Sequence, residues 1–134
     1  MINAVIGYEG DNITVSVSGH AGFAEKGKDI VCAGVSALVS AFYEAVKDIV
    51  EPWRVSILTD KGDGYFFAVF RDFSNDQTLD CVRALTYMLG TGIREIEKQF
   101  PYFVNLFVFT SPSEGFRNDT SEQTMNEKRE EVTG

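Results

Sequence analysis

Apolar and polar residues alternate from Ile2 to Tyr8 and again from Ile13 to Ser18, and the four residues between them, Glu9-Gly10-Asp11-Asn12, are hairpin turn residues. Two antiparallel strands are predicted. From Val31 the period lengthens: Val31, Val35, Leu38, Phe42, Ala45, Val46 and Ile49 recur at three- and four-residue spacing. This pattern predicts an amphipathic helix of about five turns that stops before Pro52. A second strand pair is expected from Arg54 to Thr59 and Tyr65 to Phe73, across Asp60-Lys61-Gly62-Asp63-Gly64, whose glycines suit positive-φ turn positions. Leu79, Val82, Leu89, Ile93, Ile96 and Phe100 then outline a second helix behind the capping residues Ser74-Asn75-Asp76, and after Pro101 a last strand is predicted from Tyr102 to Phe109. The order ββαββαβ predicts an α+β two-layer sandwich, with two helices on one face of a mainly antiparallel sheet.

The patterned region stops near residue 110. Beyond it Pro112, Phe116, Met125 and Val132 are the main apolar residues, and the chain finishes in Glu127-Lys128-Arg129-Glu130-Glu131. Residues 1–110 are therefore expected to be one folded domain and residues 111–134 a polar acidic tail. The net charge of −8 and pI near 4.6 repel phosphates and anionic lipid. No nucleic acid and no membrane is an expected partner, whereas a basic peptide is. Met1 to Tyr8 lacks the charged start and apolar core of a signal peptide, and no unbroken apolar run approaches ~18 residues. The expectation is a soluble, cytoplasmic protein with Cys32 and Cys81 reduced.

Chemistry concentrates between the second strand and the first helix. The segment Gly19-His20-Ala21-Gly22-Phe23-Ala24-Glu25-Lys26-Gly27-Lys28-Asp29-Ile30-Val31-Cys32 has the chain's single histidine near one end and one of its two cysteines at the other. With Asp29 as N-cap, Cys32 falls at the third helical position, where unpaired backbone amides and the helix dipole favour a thiolate. His20, set beside that helix start, would take the thiol proton as general base and return it to a leaving amine. The amides of Cys32 and Ala33 are the expected oxyanion donors. Spacing alone leaves the plainer readings open, because a lone cysteine commonly serves packing and a lone histidine is commonly a satisfied polar residue.

Gly19-His20-Ala21, then Lys26-Gly27-Lys28-Asp29-Ile30-Val31-Cys32-Ala33, then Val35-Ser36 resemble the two-part hallmark of the ribosomal-processing cysteine protease family, Prp, over Met1 to about Phe109. The resemblance implies that His20 and Cys32 form a catalytic dyad; Gly19, Asp29, Ala33 and Ser36 are expected to support it, with no metal and no cofactor. That family removes a short N-terminal extension from large-subunit ribosomal protein twenty-seven, cutting just after an aromatic pair. Phage-encoded or phage-recruited members act on capsid or scaffold proteins with a similar sequence. The implied activity is a cysteine endopeptidase acting on a ribosomal or phage protein with a basic N-terminal extension. Family members are homodimers with a mobile loop between histidine and cysteine, which fits the punctuation by Gly22 and Gly27. The tail after Thr110 adds to the family's usual length and brings in a prophage origin. A non-catalytic ribosome- or capsid-associated binding module is the alternative of another class, and the intact His20 and Cys32 argue against it.

The remaining positions carry two readings each. Asp29 is first a helix cap and second a carboxylate that orients His20 as a triad member. Ser36 lies one turn after Cys32 and bonds either near the site or to its own helix backbone. Gly34 marks close approach of substrate or backbone, or tight packing against a strand. Tyr65, Phe66, Phe67 and Phe70 read as core, with a groove for substrate aromatics as the alternative. Cys81 reads as a small buried hydrophobe. Gly22-Phe23-Ala24-Glu25-Lys26-Gly27-Lys28-Asp29 also matches P-loop spacing through its lysine, but Asp29 stands where the magnesium-binding hydroxyl belongs, and the strand before it is expected in an antiparallel hairpin. A zinc site from Cys32, Cys81 and His20 lacks any paired ligand spacing.

Overall fold

The computed structural model describes residues 1–25 and 27–111, so the tail expected from the sequence lies, apart from Ser111, outside the described residues. The elements are β1 (Ile2–Glu9), β2 (Asn12–Ser18), α1 (Ile30–Val50), β3 (Ser56–Gly62), β4 (Tyr65–Arg71), α2 (Asp76–Gln99) and β5 (Val104–Ser111). They build one five-stranded sheet in the order β3-β4-β2-β1-β5. All pairs are antiparallel except β1 with β5. Each helix is a crossover between two strands that run the same way: α1 carries the chain from β2 to β3, and α2 carries it from β4 to β5.

Register turns the alternation into a core. Ala4 stands opposite Val17 and Val17 opposite Phe66; Ile6, Val15 and Ala68 form the next row, and Tyr8, Ile13 and Phe70 the next. All but Tyr8 of these are buried. This single face meets the stripe Val31, Val35, Val39, Phe42, Val46 and Val50 of α1 and Leu79, Val82, Leu89 and Ile93 of α2. Phe42 sets its ring edge-on to Phe70 at 5.9 Å. By length and composition α1 is apolar enough to cross a membrane, yet its valine stripe is part of this core. The helices approach closely through two glycines. A Cβ at Gly34 would lie 3.3 Å from Ile96 Cδ1, and one at Gly92 would lie 2.9 Å from Leu38 Cδ1. Gly34 therefore serves contact with α2, not with a strand or a substrate.

The local departures from the predicted elements have physical causes. β3 starts and ends later than Arg54 to Thr59, and the turn contracts to Asp63-Gly64 because Asp60, Lys61 and Gly62 stay paired with β4. Gly62 permits this: a Cβ there would lie 2.6 Å from the Tyr65 ring, which lies across the pair and donates its hydroxyl to Asp60 Oδ1 at 3.3 Å. Asp60 and Lys61 are tolerated because β3 is an edge strand. β4 stops at Arg71, before Asp72 at φ 60, and β5 starts late because Phe103 first closes a turn onto the Phe100 carbonyl at 3.0 Å. Asn75 caps α2 as expected, accepting the Thr78 amide at 2.7 Å. Cys81 corrects its prediction: it is exposed, off the buried stripe of α2. Thr86 occupies a core position instead, made tolerable by donating its hydroxyl to the Val82 carbonyl at 2.7 Å.

β5 is the other edge, and α2 covers part of it with a charge. Glu97 Oε2 accepts the Leu106 amide at 2.7 Å while its Oε1 holds Arg94 at 2.9 Å. Glu97→Ala should lower the unfolding free energy by about 1.5 to 3 kcal/mol, the range for a hydrogen bond to a charged group. Urea unfolding measures this, with Glu97→Gln losing less; an unchanged midpoint for Glu97→Ala would remove Glu97 from the account.

Candidate active site

Asp29 does what a residue before a helix of this kind can do, and more. Its backbone is extended, at φ −84 and ψ 101, and its Oδ1 accepts the amides of Val31 and Cys32, each at 3.0 Å. Its Oδ2 turns back to the glycine-rich loop and accepts the amides of Phe23 at 3.0 Å and Ala24 at 3.3 Å. The Cys32 amide is the largest influence holding this carboxyl below its ordinary pKa; desolvation opposes it, and the amides of Ala24, Phe23 and Val31 add to it. The triad reading is thereby corrected, because both oxygens serve as cap and loop clamp. Phe23 fastens the same loop by a second contact. Its ring stands edge-on to Phe100 and to Phe103, at 5.3 Å from each.

Cys32 is the third residue of α1 and half-buried. Its Sγ accepts the amide of Ala21 at 3.3 Å. The oxyanion donors expected from the sequence are corrected by their partners. The Cys32 amide is taken by Asp29 Oδ1, and the Ala33 amide by the Asp29 carbonyl at 3.0 Å. The amide that is aimed at the sulfur belongs to the loop.

His20 is exposed and follows Gly19, which sits at φ +96 where a Cβ would collide with the Met1 carbonyl oxygen. The Gly19 amide donates to the Gly64 carbonyl at 2.8 Å, and the imidazole lies against Gly64. β2 neighbours β4, so the end of β2 and the β3–β4 turn emerge side by side.

These parts enclose a cavity of about 720 Å³. Every site residue expected from the sequence lines it: Gly19, His20, Asp29, Cys32, Ala33 and Ser36. Ser36 is exposed on its wall. Cys81 is not in the lining, so the three residues considered for zinc do not come together, and among the described residues no group of three His, Cys, Asp or Glu could hold a metal. The P-loop alternative fails on topology, because β2 is antiparallel to both of its neighbours. Of the opposite wall the sequence suggested only the aromatic groove at Tyr65 and Phe66, as the alternative to core packing, and Tyr65 is exposed rather than core. Lys61 to Phe66 of the β3–β4 hairpin form this wall, with Tyr65 and Phe66 bringing aromatic surface and Phe66 also reaching the core. The charge of Asp60 leads the influences that push the Tyr65 phenol up, followed by desolvation and their hydrogen bond. The glycines at 62 and 64 were the available signal for this close-built turn.

Residues 1–105 match the family described as Cysteine protease Prp. The chain is 31% identical over 104 residues to the ribosomal processing cysteine protease Prp of Bacillus subtilis, which covers 75% of this chain and 90% of that relative. Its fold is similar to a crystal structure of the essential ribosomal processing protease Prp from S. aureus in complex with a covalently linked product peptide. There the TM-score is 0.66 at 26% identity, over 81% of this chain and 99% of that one. SMU.848 from Streptococcus mutans is similar at a TM-score of 0.63 and 28% identity, over 83% of this chain and 96% of that one. Sequence match and fold agree: this chain belongs to the Prp family of cysteine proteases.

Proposed function

We propose that this protease is a cytoplasmic, homodimeric endopeptidase that removes a basic N-terminal extension from large-subunit ribosomal protein twenty-seven, cutting after an aromatic pair. Cys32 is its nucleophile and His20 its general base. The observation that carries the reading is the seat of Cys32 at a capped helix start, with its sulfur accepting the Ala21 amide at 3.3 Å inside a cavity that His20 also lines. His20 takes the thiol proton, and the sulfur attacks the scissile carbonyl carbon. The C–N bond breaks as His20 passes that proton to the departing amine. Water, deprotonated by His20, then splits the thioester and restores the thiol. The Ala21 amide supports the sulfur while it is anionic. Tyr65 and Phe66 offer aromatic surface for the substrate's aromatic pair. The net charge of −8 favours a basic extension as partner.

The similar S. aureus protein carries a covalently linked product peptide, which supports a peptide substrate here. A second reading is a phage or prophage protease that processes a capsid or scaffold protein with a similar site. It is favoured by the polar acidic sequence after Thr110, which lies beyond the residues that the family match covers. A peptide carrying Leu-Gln-Phe-Phe before the scissile bond tests the cleavage that both readings share. Mass spectrometry should find a cut after the second Phe with the parent protein, and Cys32→Ala should lower the rate by roughly a thousandfold or more at an unchanged thermal midpoint. Cleavage by Cys32→Ala at the parent rate would overturn the mechanism, and an uncut peptide with the parent would contradict the cut after an aromatic pair in both readings.

The clamp yields a separate expectation. Asp29→Asn keeps an oxygen for the amides of Val31 and Cys32 but turns an NH2 group toward Phe23 and Ala24. Amide exchange at Phe23 and Ala24 should then accelerate roughly tenfold while the start of α1 keeps its protection. Because the carboxyl pKa is lowered from 3.8 on folding, its stabilising contribution is fully present above 3.8 and is lost only as pH falls through the lower folded value. The parent loop should accordingly keep its exchange protection at pH 5. Equal exchange in parent and Asp29→Asn would contradict the clamp.

A further inference from the structure

With Asp29 occupied by four backbone amides, some other group must hold the imidazole of His20. We infer that the β3–β4 turn does so, and that Gly64 is a positioning residue for His20. This rests on the reading of His20 as the general base. Gly64 sits at φ +78, and a Cβ built on it would stand 2.6 Å from His20 Nε2 and 3.0 Å from Cε1. The imidazole thus lies on the bare backbone of the turn, with Nε2 the atom nearest to it.

The same residue also fixes the backbone that carries the ring. Its carbonyl accepts the Gly19 amide at 2.8 Å, one residue before His20. Gly19 is itself in the left-handed region at φ +96. Two glycines that no L side chain replaces without strain are therefore tied to each other, one under the ring and one ahead of it. The turn is stiff enough to act as a support. It is two residues long, with Gly62 paired to Tyr65 across it, and Tyr65 is paired in turn to Ser18 at the end of β2. The Tyr65 ring packs over Gly62 and its hydroxyl reaches Asp60.

The three atoms nearest to a Cβ at residue 64 all belong to the imidazole, which is therefore the soft neighbour to displace. Moving that ring changes its position relative to Cys32, which lines the same cavity, and a misplacement of about 1 Å at a reacting group lowers the rate by roughly a hundredfold. The effect falls on proton transfer, so it should appear in kcat and leave KM little changed.

The chain has one histidine, so its ring signals in a proton–carbon correlation spectrum are assigned without ambiguity. Three variants are compared with the parent. Gly64→Ala adds the Cβ. Gly64→Asn adds it with a residue that tolerates positive φ. Gly10→Ala, at φ 60 in the β1–β2 turn at the far end of β2, imposes similar backbone strain away from the site. Both Gly64 variants should shift the His20 ring signals and lower kcat on the Leu-Gln-Phe-Phe peptide by tenfold to a hundredfold, while Gly10→Ala keeps both the signals and kcat. Unshifted ring signals in folded Gly64→Asn, or an equal loss of kcat in Gly10→Ala, would overturn the inference. The ring signals need no substrate, so the placement of His20 is tested even if the parent leaves this peptide uncut.

Discussion

Four backbone amides converge on the Asp29 carboxylate, and the working arrangement of this protein depends on that convergence. One oxygen supplies the start of α1 with the partner that the first turn of any helix lacks. The other gathers the loop at Phe23 and Ala24. An ionised carboxylate is suited to both tasks, since each of its oxygens accepts more than one bond. The Phe23 ring and the buried Ala21 fasten the same loop beside the carboxylate. With it, the loop is drawn close enough to α1 for the Ala21 amide to meet the Cys32 sulfur.

The site is a junction of three parts of the fold, and the topology explains why they meet. α1 begins where β2 ends, so the loop and the helix start are local neighbours. The hairpin of β3 and β4 arrives from later in the chain, brought beside β2 by the crossover through α1. It supplies the wall that faces Cys32 and the surface on which the His20 ring rests. Glycine is required for steric reasons both at residue 64 under the ring and at residue 19 ahead of it. The protein interior supports this from beneath, because Val31 and Val35 of α1 are buried against the sheet on either side of Cys32 in sequence.

Local physics was legible in the amino-acid sequence and non-local physics was not. Both helices, both caps and the two-layer arrangement follow from period and from Asp29 and Asn75. That His20 and Cys32 line one cavity follows from a motif whose residues lie within one loop. The order of strands, and with it the hairpin wall, depends on pairings across the chain that periodicity does not encode. The turn at Asp63-Gly64 was placed too early because glycine marks both a turn and, at Gly62, a strand position crossed by a tyrosine ring. The oxyanion donors were misassigned for a similar reason. Helix position shows that the Cys32 amide lacks a helical partner but not that the Asp29 side chain takes it, while the Ala33 amide, one residue on, already makes the first helical bond to the Asp29 carbonyl. Cys81 looked buried because it lies inside an apolar helix pattern, yet it falls between the buried Leu79 and Val82 stripe and solvent.

The central claim is that Cys32, seated by the clamped loop, is the nucleophile. The most direct test mixes the parent protein with the Leu-Gln-Phe-Phe peptide, quenches in acid within the first turnover, and measures the mass of the intact protein and of its proteolytic fragments. The account predicts an added mass equal to the N-terminal part of the peptide, located on the fragment containing Cys32 and retained in Cys81→Ala. Peptide cleavage with no adduct in Cys81→Ala, or an adduct on Cys81, would contradict it.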